Sequence, residues 1–295
     1  MMSAVSMVSA GLAKSARLTR SRVSRASVYT FSTLAGVLIA TRWNASLEVL
    51  LLAPLSTFLI SLSAYVLNDM FDMEVDKINS RNRPLAMQTV TRKEALFFIL
   101  LVNGMGAGVA FLLGSFAFFI ALLEILIGVF YSMRPFNFKD KFIVKTLTIG
   151  AGGVLANIFG GVAAGIVNAD LLFCSAMFLV FLFSTSPLND LADYVGDKAQ
   201  NRRTIPIVIG PSRTLKLSIV ASLIPLISAL VFFQVLSFNF LTIVFLTLLS
   251  ARSLQLLLPL VRSNDGPKVV RKHHKKMVYL HFLLQGALIV GSLAL

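Results

Sequence analysis

The sequence predicts an all-α fold, a multi-pass transmembrane bundle of about nine helices, on three observations. Of the 295 residues, 57% are hydrophobic and only 14% are charged, and the mean hydropathy is +0.83. Apolar runs close to the twenty or so residues that a helix needs to cross a bilayer recur along the whole chain. The 27 lysines and arginines, all but Arg42 and Arg252, collect in the N-terminal segment and in alternate connections between those runs, the charge asymmetry of a chain threaded back and forth through a membrane.

In order, the predicted spans are 22–41, 49–67, 95–113, 116–133, 147–167, 171–188, 215–236, 240–261 and 277–295. The second ends in Asn68-Asp69, and the third carries Gly104, Gly106 and Gly108. The fourth contains Glu124 and runs into Tyr131, and the fifth carries Gly150, Gly152, Gly153, Gly160, Gly161 and Gly165. Such a density of small residues lets helix backbones approach closely in lipid. The sixth span holds the lone cysteine, Cys174, and leads to Asn189-Asp190; the eighth holds Arg252. With one cysteine there is no disulfide within the chain, and Cys174 is expected to be a small buried apolar residue.

Connections are short, so residues 22–295 form a single domain, preceded by a basic segment at 1–21. The positions of the basic residues place the N-terminus and the loops that follow the second and sixth spans on the cytoplasmic side of a cell membrane. The N-terminal segment lacks acids and is rich in Ser and Arg. An organellar transit peptide shares that composition, but a basic juxtamembrane tail drawn to anionic lipid is the simpler reading. The stretch from Arg271 to Lys276 reads the same way, as a solvated face near lipid phosphate. Nucleic acid is excluded as a partner, because no soluble module exists to present such a surface.

Two copies of one acidic pattern lie 121 positions apart: Asn68-Asp69-x-x-Asp72-x-x-x-Asp76-Lys77-x-x-x-Arg81 and Asn189-Asp190-x-x-Asp193-x-x-x-Asp197-Lys198-x-x-x-Arg202. Each closes an apolar run, and the offset predicts an internal duplication of four-helix units with a site at their interface. On a continuous helix, carboxylates at i, i+3 and i+7 fall within about 60° of arc. Like charges that close repel, by roughly 4 kcal/mol at 4 Å and an effective dielectric near 20, so a cation is expected between them. Seven of the chain's 13 acidic residues lie in these two patterns, although the protein carries a net charge of +14.

Hard carboxylate oxygens suit Mg²⁺, which is usually held by a few carboxylates together with substrate phosphate oxygens. The spacing of an EF-hand is absent, and the only histidines, His273, His274 and His281, make no zinc-like set. Lys77, Arg81, Arg83, Lys198, Arg202 and Arg203 follow the aspartates and can receive further negative charge, arginine in bidentate fashion. Acidic faces, metal, a basic rim and an apolar bundle together describe a site for a lipid diphosphate.

Arg83-Pro84-Leu85 follows the first pattern; Tyr131-Ser132-x-x-Pro135-x-x-x-Lys139 stands between the two; Gly196 lies within the second, with Thr204-Ile205-Pro206 beyond. With these motifs in this order, the chain from about Arg20 onward resembles the UbiA superfamily of intramembrane prenyltransferases. The resemblance implies nine helices around a central cavity with a lateral opening to the bilayer, and two Asp-rich motifs that bind Mg²⁺, as two ions, and a prenyl diphosphate. It also implies that Asp69, Asp72 and Asp76 hold one metal and Asp190, Asp193 and Asp197 the other. Asn68 and its counterpart Asn189 would assist, and Tyr131 and Lys139, with Arg134 beside them, would reach toward the diphosphate. The chain departs from the family pattern in having Leu85-Ala86-Met87-Gln88 after Arg83-Pro84, and Arg22-x-x-Arg25 in the first helix.

Within the superfamily, the Tyr131 motif, the length and the basic stretch before the last span are most similar to archaeal digeranylgeranylglyceryl phosphate synthases. That similarity implies geranylgeranyl diphosphate as donor and a lipid-soluble acceptor, geranylgeranylglyceryl phosphate, in ether-lipid biosynthesis. An aromatic acceptor of quinone, chlorophyll or haem biosynthesis is the alternative within the family. A cation transporter with duplicated acidic sites is the alternative from another class, disfavoured because these carboxylates sit at span ends among lysines and arginines. Glu124 precedes Tyr131 by seven residues and so shares its face, which makes it an acceptor-side candidate and proton acceptor; a structural ion pair with Arg252, or a protonated buried acid, is the competing expectation.

Overall fold

The computed structural model describes residues 4–78, 82–262 and 266–293. Among them there is no strand, and nine helices have 18 or more residues: α1 (Ala4–Thr41), α2 (Leu47–Phe71), α4 (Arg92–Leu112), α5 (Ser115–Ser132), α6 (Val144–Ala163), α7 (Ala169–Ala192), α10 (Pro211–Phe232), α11 (Leu241–Arg262) and α12 (Pro267–Gly291). Three short helices, α3 (Met73–Ile78), α8 (Tyr194–Ala199) and α9 (Ile205–Ile209), follow the motif-bearing spans. Eight of the long helices are long and apolar enough to cross a membrane. The ninth, α12, begins ten residues before the predicted span, because Pro267 at the first helical positions after Gly266 starts a helix through the basic stretch.

The first helix also starts earlier than predicted: residues 4–21 continue α1, and Lys14 Nζ meets Glu94 Oε1 of α4 at 2.5 Å. Glu94 closes a capping box with Thr91, each satisfying the other's backbone N–H. Leu18 is buried among Leu62, Val66 and Leu85, so this stretch of α1 lies over the end of α2.

The duplication is visible in the helix bounds. Adding 121 to the limits of α2, α3 and α4 gives 168–192, 194–199 and 213–233, against observed 169–192, 194–199 and 211–232. The end of α1 maps likewise to 162, against 163 for α6, although α1 starts earlier than its counterpart. α1 packs against α2, α6 and α12, and α7 against α6, α10 and α12, so the halves close into one ring. Six of the long helices (α1, α2, α5, α6, α7 and α12) line the space at its centre, together with the short α3 and α8.

Glycine sets how closely α1 and α6 approach. A Cβ on Gly160 would fall inside contact distance of the Thr33 carbonyl, and one on Gly36 inside that of the Asn157 carbonyl. Gly106 meets Ser56 and Ile60 of α2 in the same manner, whereas Gly104 and Gly108 face open space. The expectation of close packing therefore holds at Gly106 but not at its two neighbours, which lie on the outer face of α4. Gly160→Ala is expected to lower stability by about 1–3 kcal/mol through overpacking. Gly108→Ala, free of any clash, should gain up to about 1 kcal/mol of helix propensity. Thermal unfolding of the two variants in detergent checks the contrast; equal shifts would contradict it.

Candidate active site

Both acidic motifs interrupt a helix at their middle aspartate. Asp72 ends α2 at φ −99°, ψ 10°, with its N–H bonded to Asn68 O, and Asp193 ends α7 at φ −103°, ψ 7°, bonded to Asn189 O among others. Each carbonyl then accepts from the N–H of the third aspartate, Asp76 at 2.8 Å and Asp197 at 2.9 Å, inside the short helix that follows. Aspartate tolerates this departure from helical geometry because its side chain competes for backbone partners. The continuous helix assumed from the spacing is thus replaced by a bend at the same place in both copies. All six aspartates are buried, and α3 touches α8, so the two motifs meet.

Among the described residues, the cations facing these carboxylates are basic side chains of the protein. Arg22 grips Asp69 with two donors, Nε to Oδ2 at 2.7 Å and Nη2 to Oδ1. Arg83 bridges Asp69 and Asp76, the latter at 2.8 Å. Lys139 and Arg202 converge on Asp72 Oδ1 at 2.9 and 2.6 Å. Arg202 also reaches Asp140 at 2.8 Å and Asp197 at 3.5 Å, tying the second motif to the first. Lys145 holds Asp190, and Arg271 Nη2 donates to Asp193 Oδ1 at 2.9 Å.

These contacts set the electrostatics. Burial pushes the Asp72 carboxyl up, but Lys139 and Arg202 outweigh it and hold it well below the usual carboxylate range. Asp197 is pushed up to about 6 by burial; Lys145 and Arg202 offset this only partly, with Asp190 and Asp193 adding to it. Lys139 is lowered by burial despite Asp72, whereas Arg202, lowered by burial but flanked by Asp72, Asp140 and Asp197, is raised.

A cavity of about 230 Å³ opens beneath the motifs. Of the residues singled out from sequence, Asn68, Asp72, Asp76, Arg83, Glu124, Tyr131, Lys139, Asn189, Asp193, Asp197 and Arg202 line it. Asp69 and Asp190 do not line it but are held by Arg22 and Lys145, which do. Lys77, Lys198 and Arg134 are not brought to the site. Lys77 and Lys198 each stand one residue past the third aspartate, a rotation of 100° that turns them to solvent; both are exposed, with Lys77 paired to Glu74 at 3.1 Å. Arg134 is exposed in the loop after α5. Arg81 lies outside the described residues.

Four basic residues of the site were not assigned to it from sequence: Arg22 and Arg25 were read as part of a basic tail and as a departure from the family pattern, Lys145 and Arg271 as loop and lipid-facing residues. Arg22 and Arg25 line the cavity from α1, Lys145 lines it from the first turn of α6, and Arg271 reaches Asp193 from α12. The stretch from Arg271 to Lys276 is therefore not simply a solvated face: Lys272, Lys275 and Lys276 are exposed, but His274 is buried and lines the cavity. Their signal in the sequence was position, since each basic residue falls at or near the start of a span. Arg252 is exposed and bonds Gln255. Glu124 is buried with no partner for Oε1 among the described residues, so the ion pair between them does not form.

The donor set suits a hard divalent cation. Asp190 Oδ2 and Asp197 Oδ2 are buried without a hydrogen-bond partner among the described residues, leaving acceptor capacity that a cation would satisfy. As the side chains stand, no three acidic or histidine groups among the described residues gather closely enough to hold an ion, because the basic residues occupy the oxygens between them.

The same architecture recurs in solved structures. One chain solved in work on digeranylgeranylglyceryl phosphate synthase in membranes superposes with a TM-score of 0.73 at 21% identity, covering 97% of this chain and 99% of its own. A UbiA homolog from Archaeoglobus fulgidus, bound to DMAPP and Mg²⁺, gives 0.71 at 21% identity, covering 94% of this chain and 99% of its own. At this identity the likeness establishes the fold: a helical membrane bundle with two acidic motifs at one end of a central cavity. The UbiA prenyltransferase family matches residues 29–283, and the chain belongs to that family. Among curated relatives, the digeranylgeranylglyceryl phosphate synthase of Pyrococcus horikoshii is 29% identical over 240 residues, covering 80% of this chain and 84% of that one. The enzyme of the same name from Methanococcus aeolicus is 32% identical over 197 residues, covering 64% and 66%.

Proposed function

We propose that this protein transfers a geranylgeranyl group from geranylgeranyl diphosphate to the free hydroxyl of geranylgeranylglyceryl phosphate, at the cytoplasmic face of the membrane. The observation that carries this reading is a cavity with the acidic motifs and their basic partners gathered at one end and apolar wall beyond them. Aspartates and basic residues converge at the motif end, while Ile60, Ile127, Ile149, Phe178 and Leu182 contribute apolar wall. That division matches a prenyl diphosphate, whose head is a polyanion and whose tail is hydrocarbon. The naming of the curated relatives supports the choice of acceptor.

In the reaction, the bond from the allylic carbon to the diphosphate oxygen breaks, and its electron pair leaves with diphosphate. The acceptor hydroxyl oxygen bonds to that carbon and loses its proton. Asp69, Asp72 and Asp76 would hold one Mg²⁺ and Asp190, Asp193 and Asp197 a second; bound there, the metal supplies positive charge against the leaving diphosphate. Arg22, Lys139, Lys145 and Arg202 line the same polar end and supply fixed positive charge where negative charge develops. The apolar wall keeps water from the allylic cation, and Glu124 stands on the acceptor side, two helical turns from Tyr131.

Purified protein given geranylgeranyl diphosphate, Mg²⁺ and a panel of acceptors tests this by mass spectrometry. Digeranylgeranylglyceryl phosphate is the expected product. Prenylation confined to benzoate or naphthoate acceptors would overturn the ether-lipid assignment in favour of an aromatic-ring prenyltransferase.

A further inference from the structure

Three of the chain's five tyrosines, Tyr29, Tyr65 and Tyr131, line the cavity, although the ordinary place of tyrosine in a membrane protein is the lipid–water boundary. Tyr29 of α1 and Tyr65 of α2 stand together, their ring centres 6.2 Å apart and their planes tilted by 55°. The Tyr29 hydroxyl donates to the Ile149 carbonyl of α6 at 3.2 Å, and Phe178 of α7 backs the Tyr29 ring at 6.0 Å. Both tyrosines are half-buried and keep accessible surface where they line the cavity.

Their depth is set by the helices that carry them. Tyr65 precedes Asp69 by four residues and Asp72 by seven, so all three share one face of α2. The ring lies about 6 Å beneath the first acid and about 10.5 Å beneath the second, measured along the axis. Tyr29 follows Arg22 by seven residues on α1, again on one face. The two rings form the layer beneath the charged groups, where the carbon attached to a bound diphosphate would sit. The guanidinium carbon of Arg22, which Asp69 holds, lies 5.5 Å from the Tyr65 ring centre, so that ring already meets positive charge from the motif side.

The internal repeat shows that the fold does not demand these rings. At the offset of 121, Tyr65 corresponds to Ser186 and Tyr29 to Gly150. Both halves keep Asn-Asp and three aspartates, but only the first places aromatic rings beneath them. In the second half Ser186 lines the cavity, with its hydroxyl 3.2 Å from that of Thr146.

On the reading that this protein ionises a prenyl diphosphate, we propose that Tyr29 and Tyr65 are catalytic residues whose ring faces stabilise the allylic cation. When the allylic carbon–oxygen bond breaks, its electron pair leaves with diphosphate and positive charge spreads over the allylic carbons. The negative face of an aromatic ring attracts such a charge, most strongly where water is excluded. It does so without adding net charge beside the departing diphosphate.

The test uses the full-length protein with geranylgeranyl diphosphate, Mg²⁺ and whichever acceptor it prenylates, and reads diphosphate release in a single turnover, donor KM and thermal unfolding. Tyr65→Phe and Tyr29→Phe each begin a series in which one, two and three ring fluorines withdraw electron density from the face at nearly constant size. The rate should fall stepwise with fluorine count, while KM and unfolding temperature hold. Tyr65→Leu and Tyr29→Leu, which have no ring face, should lose about 10- to 30-fold, the scale of a cation–π contact away from water. A rate indifferent to fluorination at either position would overturn the assignment of that ring. So would a loss in the unfluorinated phenylalanine variant as large as in the leucine one, which marks the hydroxyl, or a parallel fall of KM and stability, which marks packing. Transfer to an aromatic acceptor alone would end the ether-lipid assignment and leave the ring series to be read on that acceptor. A wild-type protein that releases no diphosphate with any acceptor would end both.

Discussion

In membranes supplied with radiolabelled geranylgeranyl diphosphate, Asp72→Asn and Asp193→Asn should each lose prenyl transfer by about 10³-fold or more, the scale at which charge stabilisation in a closed site acts. Each variant removes one negative charge from one copy of the motif and leaves the other copy whole. Asp72 and Asp193 occupy the same place in their repeats, at the break between a span and its short helix. Arg202 physically joins the copies by reaching both Asp72 and Asp197. A site assembled from two halves fails when either half fails, so the double variant should be no slower than the single ones, as is usual for residues that act as a unit. Asparagine preserves shape and an acceptor oxygen but leaves Lys139 beside Asp72, and Arg271 beside Asp193, without the opposing charge, so thermal unfolding measured on the same variants separates loss of transfer from loss of fold. A single variant that retains most of its turnover would break the division of labour between the repeats.

Much of this arrangement was legible in the chain because it repeats. The 121-residue offset between Asn68-Asp69 and Asn189-Asp190 located both motif-bearing helices, and the observed bounds of α2, α3 and α4 recur in the second half. Hydropathy located the other spans, since a bilayer imposes nearly the same length on every one. The ends were less legible. α1 and α12 extend well into basic sequence, which hydropathy scores as loop although a helix continues through it.

At the site, the aspartates were readable and several of their partners were not. A carboxylate near a membrane is rare enough to be informative, whereas a basic residue at the start of a span also serves topology, so Arg22, Lys145 and Arg271 gave no separate signal. Lys77 and Lys198 were misplaced for the opposite reason: adjacency in sequence suggested adjacency in space, but one residue of helix turns a side chain by 100°.

Removal of divalent cation should abolish transfer altogether. The six aspartates are shared among basic side chains: Arg83 serves both Asp69 and Asp76, Arg202 serves Asp72 and Asp197, and Lys145 leaves Asp190 Oδ2 unsatisfied. A diphosphate would bring further negative charge to an end where the basic side chains already balance the aspartates. Fixed arginines and lysines that already neutralise carboxylates cannot also neutralise the full charge of the leaving group. On the proposed function, divalent cation is what lets the donor enter and ionise, by the same Coulombic argument that makes crowded carboxylates unstable alone. The decisive measurement is ether formation by the purified protein from radiolabelled geranylgeranyl diphosphate and geranylgeranylglyceryl phosphate, with Mg²⁺, with chelator in excess, and with Mg²⁺ restored. Product that vanishes under chelation and returns with Mg²⁺, one diphosphate released per ether formed, is the predicted result; transfer that continues at an undiminished rate under chelation would contradict it.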